Sequence, residues 1–280
     1  QFKPTRCIIV FDGKGGNSRR KAIYPDYKAG RTFKINPNRL EQLGHTQDQE
    51  LESMKLQLQR LMSYFESLPL TIMSQDGVEA DDVIAYLATT ICKKEVIISS
   101  TDQDFLHLVN DRITVWSPIK KKLYDTQRVY DEWKVHPDNL ALVRAFIGDT
   151  SDNIHGVKGV GSKTLLKRVP IVGNSTKIVK EDIFQHCEEQ VKEGTKIKMY
   201  TTILENKDTV ALNVRLMDLK LLDFSENTKS SVRHQYQESP PSLNFWNFQK
   251  QYSVDKLYAG IPNLKSWIQN TFNHLSTFSQ

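Results

Sequence analysis

The chain has 280 residues, of which 39% are hydrophobic and 25% are charged, as is ordinary for a globular protein with a substantial core. Its net charge of +5 is only mildly basic, so the distribution of charge is more informative than the total. The three cysteines, Cys7, Cys92 and Cys187, lack CxxC spacing, which favours reduced apolar residues over a zinc site or a disulfide framework. The sequence predicts no transmembrane helix and no signal peptide, so we expect an intracellular protein that does not associate with membranes.

Short apolar runs alternate with helical patterns over the first 135 residues. Continuous apolar segments of strand length predict strands over residues 7–11, 70–73, 96–99 and 113–116. Between them, apolar residues spaced by three and four predict an amphipathic helix over residues 51–65 that faces the core, with a partner-binding coiled coil as the alternative. A second helix is predicted to begin at Asp81, and a short one to cover residues 105–109. This alternation predicts an α/β fold with a parallel, doubly wound sheet, which binds ligands beyond the carboxyl ends of its strands.

The pattern changes after about residue 135, where helices and loops are predicted without a convincing strand. Residues 225–242 are polar and end in two prolines, which predicts a linker or an extended loop. Residues 243–280 are rich in aromatic side chains and are expected to dock on the core, with a protein-binding tail as the alternative. We therefore predict an α/β domain over residues 1–135, a helical domain over residues 136–224, and a linker with an aromatic segment over residues 225–280.

Carboxylates recur in short clusters placed just after apolar runs. The set comprises Asp12, Glu79, Asp81, Asp82, Asp102, Asp104, Asp149 and Asp152. Any one cluster could be explained by helix capping, since acidic residues favour the first turn of a helix. Several clusters at strand ends instead predict one shared acidic edge, where repulsion between like charges calls for cations. Mg²⁺ or Mn²⁺ would suit oxygen ligands, and two such ions about 3.5–4 Å apart can promote phosphodiester hydrolysis.

Basic residues follow the first acidic cluster. Lys14, Arg19 and Arg20 precede the segment YKAGR, which contains Lys28 and Arg31. A solvated basic face is the simpler interpretation, but the position of this segment directly after Asp12 predicts contacts with a scissile phosphate. Tyr27 in the same segment could stack on a base. We therefore assign Lys14, Arg19, Arg20 and Tyr27 to a predicted DNA-binding surface.

A glycine-rich loop follows the last pair of acids. Gly159 and Gly161 in the sequence GVKGVGSKT have the spacing of a helix–hairpin–helix element. Glycines let backbone amides approach a phosphate, and Lys158 and Lys163 add positive charge. Such contacts would hold DNA without reading its sequence.

The motifs VEADD, STDQDF and GDTSDN followed by GVKGVG, in this order, resemble those of the 5′-nuclease (flap endonuclease) superfamily. The similarity covers about residues 7–164 and looks closest to phage 5′→3′ exonucleases of the ribonuclease H type, to which SSTDQDF and VWSPIKKK are especially similar. The resemblance implies a PIN-like parallel sheet flanked by helices and a smaller helical domain of the helix–hairpin–helix type. It also implies a helical arch over about residues 13–51, through which a single-stranded 5′ end passes.

The resemblance also implies roles for the site residues. The first metal site would contain Asp12, Glu79, Asp81 and Asp102, and the second Asp104, Asp149 and Asp152, with Asp82 close by. Lys28 and Arg31 would contact the scissile phosphate. The loop over residues 153–161 would grip the duplex and hold a K⁺ ion.

The implied function is that of a structure-specific 5′→3′ exonuclease or flap endonuclease. It would cut DNA, and RNA in RNA–DNA hybrids, with two Mg²⁺ ions that Mn²⁺ can replace, and would remove primers on the lagging strand. We expect a monomer, located in the bacterial cytoplasm if phage-encoded, with a single-strand DNA-binding protein or a sliding clamp as partner. The alternatives are a catalytically impaired DNA-binding protein of the same fold and a small-molecule phosphatase.

One departure from the family accompanies the resemblance. The family has a further strand upstream that carries a metal-ligand aspartate, and nothing before Asp12 supplies it. We therefore expect the natural chain to continue upstream of Gln1.

Overall fold

The computed structural model describes residues 2–31, 44 and 46–278. The chain divides into two compact units, one built from residues 1–11, 31–74 and 230–280 and the other from residues 12–30 and 75–229. The domain limits predicted after residues 135 and 224 remain predictions, because the boundaries of the two compact units lie at other positions. Part of the predicted arch falls on residues 32–43 and 45, which lie outside the described residues.

Short strands occur mainly in the first half of the chain. In chain order they are β1 (Ile8–Asp12), β2 (Thr71–Gln75), β3 (Val96–Ser99), β4 (Ile113–Ser117), β5 (Lys122–Tyr124), β6 (Gly148–Asp149) and β7 (Ile154–His155). The four strands predicted from apolar runs are confirmed within two residues at each end. The sequence missed β5, β6 and β7, which are each three residues or fewer.

Helices make up most of the remaining structure. In chain order the α-helices are α1 (Ser18–Ile23), α2 (Gln47–Phe65), α3 (Ala80–Tyr86), α4 (Thr126–Trp133), α5 (Pro137–Ile147), α6 (Ser162–Arg168), α7 (Lys180–Lys192), α8 (Lys198–Glu205), α9 (Lys207–Met217), α10 (Glu226–Gln237), α11 (Phe245–Val254) and α12 (Leu264–Ser276). A π-helical turn (Leu87–Ile91) continues α3, and 3₁₀ turns cover Gln103–Leu108, Pro170–Gly173, Leu219–Leu221 and Leu257–Ala259. Among these residues no helix combines the length and hydrophobicity needed to cross a membrane.

The first unit pairs β1 with β2 and packs the C-terminal helices onto the end of α2. Its buried cluster joins Tyr64 and Leu68 to Phe248 of α11 and to Ile268 of α12, which confirms that the aromatic segment docks on a core. The predicted packing of α2 against a core is seen at its C-terminal end, where Tyr64 and Phe65 join this cluster, whereas Met54 nearer the middle of the helix is exposed.

The polar stretch predicted as a linker over residues 225–242 contains helix α10, so the prediction of an extended loop is wrong over Glu226–Gln237. Long-range contacts hold its C-terminal end. The guanidinium of Arg6 donates to the carbonyl oxygens of Tyr236 and Glu238, and it also lies 4.6 Å from the centre of the Tyr236 ring. These partners are far apart in sequence, so local composition does not reveal them.

The second unit contains a parallel pair, β3 and β4, in the register Val96↔Ile113, and β5 adds to β4 antiparallel. Helix α5 and the 3₁₀ turn Gln103–Leu108 pack in the same buried cluster, which includes Phe105 and Phe146. The resulting unit is an α/β structure with a parallel strand pair, as the sequence predicted, and β3 leads directly into the acidic loop STDQDF.

Candidate acidic active site

Asp12, the last residue of β1, is tied to the start of α3. Its Oδ1 atom accepts a hydrogen bond of 2.8 Å from the amide of Ala80. The turn after Asp12 requires glycine, because a Cβ atom on Gly13 would lie 1.8 Å from the carbonyl oxygen of Gln75. The close passage of these two backbones therefore fixes Asp12 beside the first turn of α3.

Three acids lie at the N-terminal end of α3. Glu79 occupies the N-cap position, but its side chain makes no capping hydrogen bond and instead accepts from the side chains of Arg20 and Lys28. Asp82 accepts hydrogen bonds of 2.7 and 2.8 Å from Arg20 and of 3.1 Å from Arg19. Capping therefore does not explain Glu79 or Asp82, whose carboxylates are engaged by side chains.

A second group of acids surrounds Arg144. Asp104 on the 3₁₀ turn after β3 accepts a hydrogen bond from the Arg144 guanidinium, which also donates to Asp149 at 2.6 Å. Asp102 accepts from the amide of Asp104 at 2.9 Å, and Asp149 accepts from the amide and hydroxyl of Ser151. Arg144 of α5 thus joins acids from two of the predicted clusters.

Tyr27 connects the last acid to the first group. Its buried hydroxyl lies 3.0 Å from Asp152 and 3.2 Å from Glu79. The amide of Lys28 donates to the carbonyl oxygen of Asp152 at 2.8 Å, and the Lys28 backbone has a left-handed φ of 55°. The turn that contains the two residues is therefore fixed against the loop that contains Asp152.

The carboxylates are close enough to perturb one another. Burial, together with the negative charges of Asp102, Glu79 and Asp104, raises the pKa of Asp81 to about 7, although the charge of Lys28 opposes this rise. Burial also raises the pKa of Asp104, with Asp102 and Asp149 adding to the rise and Arg144 opposing it. Crowded, partly desolvated carboxylates are an oxygen-only donor set that suits a hard divalent cation.

The acids are nevertheless not arranged as a finished metal site. Within the described residues, no group of three or more His, Cys, Asp or Glu side chains has a geometry that could hold a metal ion. Arg20, Lys28 and Arg144 neutralise the carboxylates instead, at contacts that a cation would compete for. The donor chemistry therefore fits divalent cations, which would displace these basic side chains from the carboxylates on binding.

Three of the predicted site residues are almost fully buried. Arg20 and Tyr27 are only 4% and 3% exposed, and both side chains point into the carboxylate network. The DNA contact of Arg20 and the base stacking of Tyr27 stay predictions. Asp82 is 2% exposed and is the buried counter-ion of Arg19 and Arg20, and its role as a metal ligand also stays a prediction.

The other predicted basic residues have different positions. Lys14 is exposed, and its amide donates to Asp76 at 3.0 Å. Arg19 is partly buried between Asp82 and Asp223. Arg31 is exposed and belongs to the first unit, whereas Lys28 and the acids belong to the second.

The predicted hairpin lies between α5 and α6. Val157 and Val160 are buried and anchor the loop, with the Val157 amide donating to the carbonyl oxygen of Phe146 at 2.8 Å. The predicted DNA-binding residues Lys158, Gly159 and Gly161 of this loop are exposed, as is Lys163 in the first turn of α6. Gly159 has φ 79°, and Gly161 precedes the first residue of α6.

Arg144 is the main site residue that the sequence prediction missed. It is the one charged residue in the segment LALVRAFI of α5, and an isolated arginine in an apolar helix could have indicated a buried partner. Its position five residues before Asp149 brings the guanidinium to that carboxylate.

Comparison with known proteins gives matches over the first part of the chain. Residues 1–134 match the family model of the 5′–3′ exonuclease N-terminal resolvase-like domain. A 5′–3′ exonuclease of Aquifex aeolicus is 31% identical over 180 residues, covering 64% of this chain and 56% of the relative. A 5′–3′ exonuclease of Buchnera aphidicola is 30% identical over 167 residues, covering 59% of this chain and 52% of the relative. The chain thus spans about half the length of these curated relatives.

Solved structures resemble the chain over a longer span. The T5 5′-exonuclease with bound zinc ions aligns with a TM-score of 0.63 and 22% identity over 83% of either chain. The bacteriophage T5 flap endonuclease, in a complex with DNA and metal ions, aligns with a TM-score of 0.61 and 23% identity over 82% of either chain. These likenesses establish the fold. The match to the family model and to the two exonucleases confirms the resemblance drawn from the acidic motifs.

Proposed function

We propose that this chain is a structure-specific 5′ nuclease, because residues 1–134 match the family model of the 5′–3′ exonuclease N-terminal resolvase-like domain. It hydrolyses phosphodiester bonds in DNA with a 5′ flap or a 5′ end, and in the RNA of RNA–DNA hybrids. The observation that carries the proposal is that acids from separate clusters meet. The hydroxyl of Tyr27 lies 3.0 Å from Asp152 and 3.2 Å from Glu79, and Arg144 joins Asp104 to Asp149. A purely structural set of ion pairs would not need to crowd like charges in this way.

Two divalent ions, Mg²⁺ with Mn²⁺ as a substitute, would be held by this set. The proposed ligands are Asp12, Glu79, Asp81 and Asp102 for one ion, and Asp104, Asp149 and Asp152 for the other. When bound, such ions generate a nucleophilic hydroxide and stabilise charge on the phosphoryl oxygens. The metal ions named for the T5 structures support this assignment by analogy.

Lys28 is proposed to hold the scissile phosphate. Its backbone is fixed by the bond from its amide to Asp152, and its ammonium group lies at the acidic cluster in contact with Glu79. A cation at this position stabilises charge that develops on the phosphoryl oxygens. Arg31, three residues further along YKAGR, is proposed to assist at the same phosphate.

The role of Lys28 is tested by Lys28→Ala. We expect a single-turnover cleavage rate at saturating protein that falls by roughly a hundredfold or more, whereas DNA affinity changes only a few-fold. Lys21→Ala, at an exposed lysine of α1, is the matched control. A wild-type single-turnover rate in Lys28→Ala would remove Lys28 from the reaction.

The hairpin is proposed to grip the duplex next to the cleavage site. Its exposed Lys158 and Lys163 and the open backbone at Gly159 and Gly161 suit contacts with phosphates rather than with bases. Backbone carbonyl groups in the same loop are the proposed ligands of a K⁺ ion. We further propose primer removal on the lagging strand as the biological role, carried out by a monomer that works with a single-strand DNA-binding protein or a sliding clamp.

The alternative is a DNA-binding protein of the same fold that does not cleave, and Asp104→Asn separates the two. We expect this variant to retain flap-duplex binding in EDTA but to lose at least a hundredfold in Mg²⁺-dependent cleavage. Asp111→Asn, at an exposed turn residue, removes the same charge and serves as the control. Unchanged cleavage by Asp104→Asn would exclude Asp104 from the site, and a wild-type chain that binds without cleaving would favour the alternative.

A further inference from the structure

The loop that joins β4 and β5 presents a basic tip on the second unit. Ser117 pairs with Lys122, so residues 118–121 form the turn, and every residue of this turn is exposed. Its sequence is PIKK, followed by a third lysine at the start of β5. Ile119 at the tip is 80% exposed.

The three lysines are held differently. Lys122 forms an ion pair of 3.0 Å with Glu132, which neutralises its charge. The ammonium group of Lys120 donates to the hydroxyl of Tyr124 at 3.3 Å, and that buried tyrosine in turn donates to Glu132 at 3.2 Å. Lys121 has a left-handed φ of 52° and is exposed. Glu132 pairs with Lys122, so the charges of Lys120 and Lys121 remain at the exposed turn.

This tip lies next to the acidic site. Lys120 and Tyr124 line a small cleft together with Asp102 and Gln103. Asp102 accepts a hydrogen bond of 2.9 Å from the amide of Asp104, and Arg144 joins Asp104 to Asp149, so the cleft adjoins the carboxylate cluster. A nucleic-acid strand whose scissile phosphate lies at the acids must continue over the neighbouring surface. Consecutive phosphates are closely spaced along a strand, so a lysine beside the cleft can reach a phosphate one or two positions from the scissile phosphate.

We propose that Lys120 and Lys121 of the β4–β5 turn bind the substrate strand at a phosphate one or two positions from the scissile phosphate. The inference rests on the proposed nuclease function and adds a contact that neither the basic segment nor the hairpin provides. The tyrosine-held ammonium of Lys120 supplies a positioned charge, and Lys121 supplies a second charge at the exposed turn. The contact is to the backbone, so it does not depend on base sequence.

The first test is the salt dependence of flap-duplex binding in EDTA. The double variant Lys120→Ala, Lys121→Gly removes both charges, and glycine tolerates the left-handed backbone of residue 121. We expect the slope of log K against log salt to fall by about 1–2 and binding to weaken roughly three- to tenfold near physiological salt. The control, Lys192→Ala with Lys196→Ala, removes the same charge from exposed positions on and just after α7. An unchanged slope, or an equal loss in the control, overturns the proposal.

The second test locates the contact on the substrate. Neutral methylphosphonates replace single phosphates at three positions on either side of the cut. We expect wild type and the double variant to bind equally when the contacted phosphate, one or two positions from the cut, is neutral. A difference that persists at every position contradicts the proposal. A wild-type chain that neither binds nor cleaves the flap would instead defeat the proposed function, so the two failures are distinguishable.

Discussion

Arg20 offers the sharpest test of how the acidic site is built. This arginine of α1 is buried and reaches three acceptors: the carboxylates of Glu79 and Asp82 and the carbonyl oxygen of Leu216 at 2.9 Å. Burial alone would lower its pKa, but the hydrogen bonds and charges of Asp82 and Glu79 outweigh that effect and raise it. Replacement by Met therefore leaves two desolvated carboxylates without their shared partner.

The expected cost follows from the remaining partners. Removing one member of a buried ion pair costs about 3–5 kcal/mol, because the other charge is left uncompensated. Arg19 still pairs with Asp82, and Lys28 still pairs with Glu79, so we expect the lower end of that range for Arg20→Met. A loss of about 3 kcal/mol lowers the melting temperature by roughly 6–12 °C in a protein of this size.

Differential scanning calorimetry at neutral pH and moderate salt measures this effect. Arg20→Lys keeps the charge but lacks the planar fork of five donors, so an intermediate loss is expected. Lys21→Ala, at the neighbouring exposed position of α1, should stay within about 0.5 kcal/mol of wild type. A melting temperature of Arg20→Met within 2 °C (about 0.5–1 kcal/mol) of wild type would refute the buried network.

Two further predictions concern the rest of the fold. Gly13→Ala should prevent stable folding or lower the melting temperature by more than 10 °C (about 3 kcal/mol or more), whereas Gly161→Ala, whose Cβ atom would meet nothing within 4 Å, should cost little; thermal unfolding of both variants checks this. Hydrogen bonds from Arg60 and Tyr64 hold the pKa of Asp255 below its ordinary value. The stability that these hydrogen bonds contribute is therefore fully present above the pKa of Asp255 in the unfolded chain, about 3.9. It is lost as the pH falls through the lower pKa that Asp255 has in the folded protein. The stability difference between wild type and Arg60→Ala should accordingly shrink below about pH 4, and a difference that stays constant from pH 3 to pH 7 contradicts this assignment.

Much of the strand framework was predictable because buried strands are short and uniformly apolar. The run VIIS became β3 without a change of boundary, and ITVW became β4 with one added residue. The positions of the acidic clusters were predictable too, because each predicted strand end shows where the loop that contains the acids begins. The tripeptide KLY of β5 carries too little pattern to be recognised, although pairing with β4 makes it a strand.

Side-chain direction was not predictable from composition. The sequence predicts a DNA-binding surface for the basic segment but does not reveal that Arg20 and Tyr27 turn inward, because their partners Glu79 and Asp152 are distant in sequence. The same limit applies to Arg144, whose acceptors lie on the 3₁₀ turn after β3 and on β6. The amphipathic spacing of α2 likewise predicted a helix without revealing which part of it packs.

The most direct test of the account is the cleavage of a 5′-labelled flap duplex by the wild-type chain with Mg²⁺ and with EDTA. We expect short 5′-labelled products released near the junction with Mg²⁺, none with EDTA, and recovery of cleavage when Mg²⁺ is restored. Cleavage that is unaffected by EDTA, or tight binding without products at any Mg²⁺ concentration, would contradict a metal-dependent 5′ nuclease.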